Sequence, residues 1–288
     1  REYLMEFCMS EKDVVLDPFC GTGTTVVESK LQGIQSIGLE ANRFAQFAGN
    51  VKVDWAVNAE VLRDRAESIA SNAALRLKNQ GIPDSAQDSE IKRTVLQSLP
   101  EEQFPLILKN SINPTALHKS LVLLSEIDRY NGQTVHKYFR LAFANALVFK
   151  ISNLRFGPEV GIGKPRSHVA VIDEWLVEVE KMCGDLRQID PTAYPFATVK
   201  LVDSRDISTA LDGTKISAVI TSPPYPNEKD YTRTTRLESV LLGFVKDRAD
   251  LRSMKKTLLR SNTRGVYRED DDDKFVEHIA KVQSIAEQ

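Results

Sequence analysis

The sequence predicts an α/β fold, a mostly parallel sheet whose chain is interrupted by a long helical insertion. Three observations carry this. Asp13-Val14-Val15-Leu16-Asp17 is a short apolar run ending on a carboxylate, and Gly21-Thr22-Gly23 follows it before a helix-forming stretch to Leu31. Gly33 stops that helix and Ile34 to Leu39 reads as a second strand ending at Glu40, which completes a βαβ unit. Much later, Ala197 to Val202 and Ile216 to Thr221 are again strand-like. They end in Asp203-Ser204-Arg205-Asp206 and Thr221-Ser222-Pro223-Pro224-Tyr225. Ligands of open α/β sheets bind at the carboxyl ends of the strands, so four polar clusters are expected to converge on one place.

Between these segments the texture changes. Leu117, Leu121, Leu124 and Ile127 repeat at helical spacing, as do Val135, Phe139, Ala142, Ala146 and Phe149, then Ile172, Trp175, Val179, Met182 and Leu186. The expected division is therefore 1–59 with 196–288 as the α/β core and 60–195 as the helical insertion. Asn79 to Glu90 is expected to be an exposed loop, and the acidic run Glu269 to Asp273 a solvated one. With 136 residues in the insertion, the remainder holds too few strands for a complete sheet. Arg1 and Gln288 read as cut ends, with the sheet incomplete on both sides.

Composition narrows the class. The chain has 288 residues, 42% of them hydrophobic, with 38 Lys+Arg against 40 Asp+Glu. That is ordinary globular usage, which excludes collagen-like, disordered and disulfide-stapled proteins. Cys8, Cys20 and Cys183 have no zinc-site spacing, and His118, His136, His168 and His278 show no ligand spacing, so no metal is expected. The best apolar run, Leu141 to Phe149, is far shorter than a bilayer span, and no signal peptide is legible. A cytoplasmic protein without a membrane partner is expected. The formal charge of −2 hides two basic stretches. From His136 to His168 six Lys or Arg face one Glu, a local +5, and from Glu228 to Arg268 eleven face five acids, a local +6.

The glycine-rich turn offers backbone that a ligand can approach, since a Cβ at Gly21 or Gly23 would stand in its way. A dinucleotide fingerprint needs a third Gly where Val26 sits. Asp17, opening the turn with Pro18 and Phe19, is a poor neighbour for a pyrophosphate and a good one for a cationic group. Glu40, at the next strand end, suits a ribose diol. A ligand with a ribose, a positive charge and no phosphate fits best, and S-adenosylmethionine is one.

In the second cluster, Pro223 and Pro224 stiffen the loop and leave free carbonyl acceptors, to which Ser222 adds a hydroxyl. Two acceptors there grip the two hydrogens of an amino group while Tyr225 stacks on the ring that bears it. An exocyclic amine on a nucleobase is a weak nucleophile because its lone pair is delocalised. Hydrogen bonds to Ser222 and to the Pro223 carbonyl favour a tetrahedral nitrogen with its lone pair aimed at a methyl group. The competing reading is a rigid strand terminator.

Together, Asp17-Pro18-Phe19-Cys20-Gly21-Thr22-Gly23 and Ser222-Pro223-Pro224-Tyr225 resemble the cofactor and catalytic motifs of the amino-group DNA methyltransferases. The resemblance covers about 1–59 and 196–288. It continues through Asp230-Tyr231-Thr232-Arg233 and Leu237 to Phe244, and includes Ser152 to Pro158 and Lys164-Pro165-Arg166. It implies a Rossmann-like methyltransferase core using S-adenosylmethionine, with Ser222, Pro223, Pro224 and Tyr225 catalytic. Asp17, Phe19, Gly21, Gly23, Thr24, Glu40 and Asp203 would bind the cofactor, Asp203 at its adenine amino group. Double-stranded DNA is the implied substrate, with Arg233, Arg236, Arg155, Lys164 and Arg166 as contact candidates, and a restriction endonuclease the implied partner. The Ser-Pro-Pro-Tyr form favours cytosine N4 over adenine N6, and no Pro-Cys pair for C5 chemistry is present. The insertion, read as a DNA-contacting or lid region, lies at an unusual place for target recognition. Two alternatives stay open, an RNA guanine-N2 methyltransferase and a catalytically inactive DNA-binding relative.

Overall fold

The computed structural model describes residues 1–87, 91, 95–157, 159–225, 230–259 and 272–286. After a short helix α1 (Glu2–Glu6), the chain forms β1 (Val14–Asp17), α2 (Thr24–Leu31), β2 (Gln35–Glu40) and α3 (Arg43–Val53). Four helices follow, α4 (Ala59–Asn79), α5 (Pro114–Ile127), α6 (His136–Ala146) and α7 (Val171–Leu186), with a hairpin of β3 (Leu154–Arg155) and β4 (Gly161–Ile162) between the last two. The chain then returns through β5 (Ala197–Leu201), α8 (Ile207–Leu211) and β6 (Ala218–Val219). It continues in α9 (Tyr231–Thr234), α10 (Arg236–Leu241), α11 (Arg248–Lys256) and α12 (Ala280–Ala286). The acidic run Glu269 to Asp273 lies largely outside the described residues, as do Lys229, Arg260, Arg264 and Arg268.

The four longer-range strands form one parallel sheet in the order β5-β2-β1-β6. The fold is thus α/β and Rossmann-like. The chain runs outward from β1 through β2 to β5, then crosses back to place β6 on the other side of β1. That reversal puts a topological switch point between β1 and β6, where open sheets hold their ligands.

Period-two alternation packs both faces. Leu16, Ile37 and Leu39 bury on one side with Ala210 of α8, while Val26, Val53 and Val199 cluster with Cys20 on the other. Gly38 lies on the second face because nothing larger fits. A Cβ there would stand 2.5 Å from Cys20 Sγ and 2.8 Å from Val26 Cγ2. The outer strand β5 is blunted by α3, whose Asn50 side chain bonds both the N–H and C=O of Val199, with Gln46 donating to the same carbonyl.

The helical segment shares a single hydrophobic core with α3 and α10, joining Phe44 and Ala48 to Ile69, Leu123, Phe139, Trp175 and Val240. Two expectations need correction. The 79–90 segment is not simply exposed. Ile82 is fully buried, and Asp84 accepts from the N–H groups of Val171 and Ile172, holding the start of α7. Buried Lys119 clamps the same loop by donating to the carbonyls of Asp84 and Val169. Phe149, placed by periodicity on an apolar stripe, is 61% exposed. The cause is local: α6 runs on into a π turn over Leu147–Ile151, which changes the spacing and turns Phe149 and Lys150 out.

Candidate active site

The carboxyl ends of β1 and β6 meet at Asp17. This side chain is buried, and its Oδ1 accepts from the Phe19 N–H at 3.1 Å and from the Thr221 hydroxyl at 2.7 Å. The first bond shapes the glycine-rich turn. The second ties that turn to the segment carrying Ser222, 204 positions away. The Ser204 hydroxyl donates to the Pro18 carbonyl and Lys52 Nζ to the Thr22 hydroxyl at 2.9 Å, so α3 and the end of β5 also brace the turn. Sequence reasoning gave Thr221, Ser204 and Lys52 no role. Their partners are distant in the chain, and only the quoted Thr221 stood beside a motif.

Gly21 and Gly23 both take positive φ, +54° and +88°. Gly23 opens α2, and a Cβ on it would stand 3.2 Å from the Cα of Gly49, so turn and α3 approach backbone to backbone. Cys20 is buried beneath the turn, and burial pushes its thiol well above the usual range, which fits packing rather than nucleophilic chemistry.

Glu40 ends β2 facing the same turn. Burial raises its carboxyl above the ordinary value, opposed by backbone N–H groups of Asn42, Gly21 and Ala41. The Asn42 bond measures 2.7 Å. Two carboxylates, Asp17 and Glu40, thus flank a backbone cradle at the switch point, a donor set suited to a cationic ligand with a diol. S-adenosylmethionine fits this chemistry. A small cavity beside it is lined by Leu4 of α1, Thr24, Thr25 and Glu28 of α2, and Ile220 after β6.

Asp203 follows β5 and is already engaged. It caps the turn Ser204–Asp206 by accepting from the Arg205 N–H at 3.0 Å, and both its oxygens meet the Arg205 guanidinium. This is the geometry of a capping carboxylate.

The Ser222 and Tyr225 side chains sit on an exposed loop, their hydroxyl oxygens 3.3 Å apart and the tyrosine 59% exposed. More than half of the ring is exposed among the described residues, so a planar partner has access to it. Pro226 to Lys229 lie outside the described residues.

Of the basic candidates, Arg155, Lys164 and Arg166 are exposed on or beside the β3–β4 hairpin. Arg233 pairs loosely with Glu159 at 3.5 Å. Arg236 turns inward instead. Its guanidinium donates to the carbonyls of Thr232 and Leu106 and to the Thr232 hydroxyl, so it serves the fold rather than a surface. Among the described residues, no helix is long and apolar enough to cross a membrane, and no group of three or more His, Cys, Asp or Glu is placed to hold a metal.

Comparison with known proteins adds to this geometry. A family model described as DNA methylase matches residues 2–47, the segment that builds the glycine-rich turn. The chain is 28% identical over 280 residues to the Type II methyltransferase M.BsoBI of Geobacillus stearothermophilus, an alignment covering 90% of this chain and 52% of the relative. The chain therefore spans about half the length of the curated relative it matches. No solved structure matches it significantly. Both matches support the resemblance to the amino-group DNA methyltransferases.

Proposed function

We propose that this chain carries the cofactor and catalytic machinery of a site-specific DNA methyltransferase that modifies an exocyclic amine of a flipped base. The observation that carries the reading is the Asp17–Thr221 hydrogen bond, which joins the cofactor-type turn to the Ser-Pro-Pro-Tyr loop at the sheet's switch point. S-adenosylmethionine, when bound, supplies an electrophilic methyl group. Asp17 and Glu40 would hold its cationic and diol groups beside the Phe19, Gly21, Gly23 and Thr24 backbone. Asp203, fixed by Arg205, would accept from its adenine amino group.

On the substrate side, Ser222 and the Pro223 carbonyl accept the two amine hydrogens, and Pro224 keeps the loop stiff. Tyr225 stacks on the extruded ring. Stacking contributes about 1–3 kcal/mol, partly offsetting an extrusion cost of a few kcal/mol. Held by Ser222 and Pro223, the amine nitrogen would take the methyl group that S-adenosylmethionine supplies in exchange for the sulfur, and would release its extra proton to solvent afterwards. The serine at the first position favours cytosine N4 over adenine N6. Arg155, Lys164, Arg166 and Arg233 contact the duplex, and a restriction endonuclease of the same specificity is the matching partner in the cytoplasm.

The test is calorimetric titration of the full-length protein with S-adenosylmethionine, followed by transfer of a labelled methyl group to DNA. The reading expects binding that Asp17→Ala and Glu40→Ala weaken about tenfold or more, each removing hydrogen bonds to a charged group. Absence of binding by the wild type, or transfer to RNA in place of DNA, would overturn it.

A further inference from the structure

The β3–β4 hairpin has a rigid root and an unusual surface. Buried Asn153 uses both its main-chain and side-chain polar groups to fix it. Its amide donates to the Asn110 carbonyl and the Asn113 side chain, and its oxygens accept from the N–H groups of Arg166 and Gly163. Just beyond this root, two phenylalanines face solvent. Phe156 is 42% exposed, and its ring lies 5.8 Å from that of Phe149, which the π turn pushes out of α6. Exposed cations, Arg155 and Lys164, flank the pair. Burying such rings is favourable, so a paired aromatic surface held out by a rigid base calls for an occupant.

Charge and position choose among occupants. The cations favour an anionic partner with flat apolar faces, which a stacked duplex offers. The hairpin turn also meets the helix that follows the Ser-Pro-Pro-Tyr loop in the chain. Glu159, in that turn, pairs at 3.5 Å with Arg233 of α9, and α9 begins six residues after Tyr225. This contact ties the hairpin that carries the aromatic pair to the chain segment leading away from Tyr225.

We propose that the hairpin is a DNA wedge: Phe156, buttressed by Phe149, stacks into the base step beside the flipped nucleotide while Arg155 and Lys164 hold flanking phosphates. Apolar side chains inserted at base steps unstack duplexes in this way. The inference rests on the proposed DNA methyltransferase reading and assigns the opening of the duplex to the helical segment.

The test uses the full-length protein, with its target sequence first read from the DNA of expressing cells. Phe156→Ala is compared with wild type on a fully paired target duplex and on one whose target base faces an abasic site. On the paired duplex the variant should bind about tenfold or more weakly, because the cost of opening, a few kcal/mol, is no longer offset by the wedge. On the pre-opened duplex the deficit should shrink to less than about threefold, because opening no longer depends on the wedge. Phe156→Trp should retain affinity, and its fluorescence should be quenched by DNA. An equal deficit on both duplexes, or none, overturns the wedge. So does a tryptophan emission that responds to anionic vesicles and not to DNA, or that is already that of a protein-covered ring. If the wild type methylates DNA while Phe156→Ala shows no selective deficit, the wedge alone fails. If the wild type transfers no methyl group to DNA, the functional reading itself fails.

Discussion

Ser222 and Glu238 illustrate how single side chains divide between chemistry and fold. Ser222 stands on an exposed loop, its hydroxyl 3.3 Å from that of Tyr225. Its removal should disturb packing little and transfer a great deal. Ser222→Ala is expected to lower turnover about 10–100-fold, the range of one lost hydrogen bond to a buried polar group, with S-adenosylmethionine affinity nearly unchanged. Single-turnover transfer kinetics beside titration of the cofactor would check both halves. Glu238 on α10 is the opposite case. It is buried, one carboxylate oxygen lacks a hydrogen-bond partner among the described residues, and burial pushes its pKa from 4.5 up to about 8. Between those values the folded protein keeps a proton that the unfolded chain has released. Its contribution to stability therefore falls as pH rises through 4.5 to 8 and levels off above. Glu238→Gln should flatten that dependence, by at most about 1.4 kcal/mol per pH unit. Urea midpoints from pH 5 to 8 read the difference. An unchanged slope would show that the carboxyl is ionised in place.

At the scale of elements, the glycine-rich turn depends on β2 as much as on its own residues. Gly38→Ala would drive a methyl group against Cys20 and Val26. The expected cost is about 1–3 kcal/mol, with weakened cofactor binding because Cys20 lies directly under the turn. Thermal melting and cofactor titration together test this, and a stable variant of normal affinity would contradict it. The helical segment depends on the clamp between Lys119 and the 82–87 loop. Lys119→Met should destabilise by about 2–4 kcal/mol, since buried carbonyls lose a charged donor. Chemical denaturation checks it. These elements also show what could be read in advance. The turn and the Ser-Pro-Pro-Tyr loop were legible because each is local, a run of residues whose backbone demands are written side by side. The bond from Asp17 to Thr221 was not, since it closes over 204 positions. Phe149 misled because the apolar period was extended through a π turn that changes it. Arg236 counted as surface charge, although Thr232 four residues earlier supplies the acceptors that turn it inward.

Across the whole molecule, the parallel order β5-β2-β1-β6 gathers four sequence-distant strand ends on one rim, and that was inferable from where their polar clusters fell. How the helical segment attaches was not, because periodicity marks apolar faces without naming their partners. The structure seats it on α3 and α10 in a shared core and pairs its hairpin with Arg233 of α9. The near-neutral charge of −2 then describes an average over two basic stretches and a more acidic remainder. DNA affinity should consequently fall steeply with salt. The central claim, methylation of an exocyclic amine in DNA, is met most directly by mass spectrometry of nucleosides from the DNA of cells that express the full-length gene and lack other methyltransferases. The account predicts N4-methylcytosine, or N6-methyladenine in its place, and a reduced amount of it when Ser222 is replaced by alanine. DNA from the wild-type culture without either modified nucleoside would contradict it.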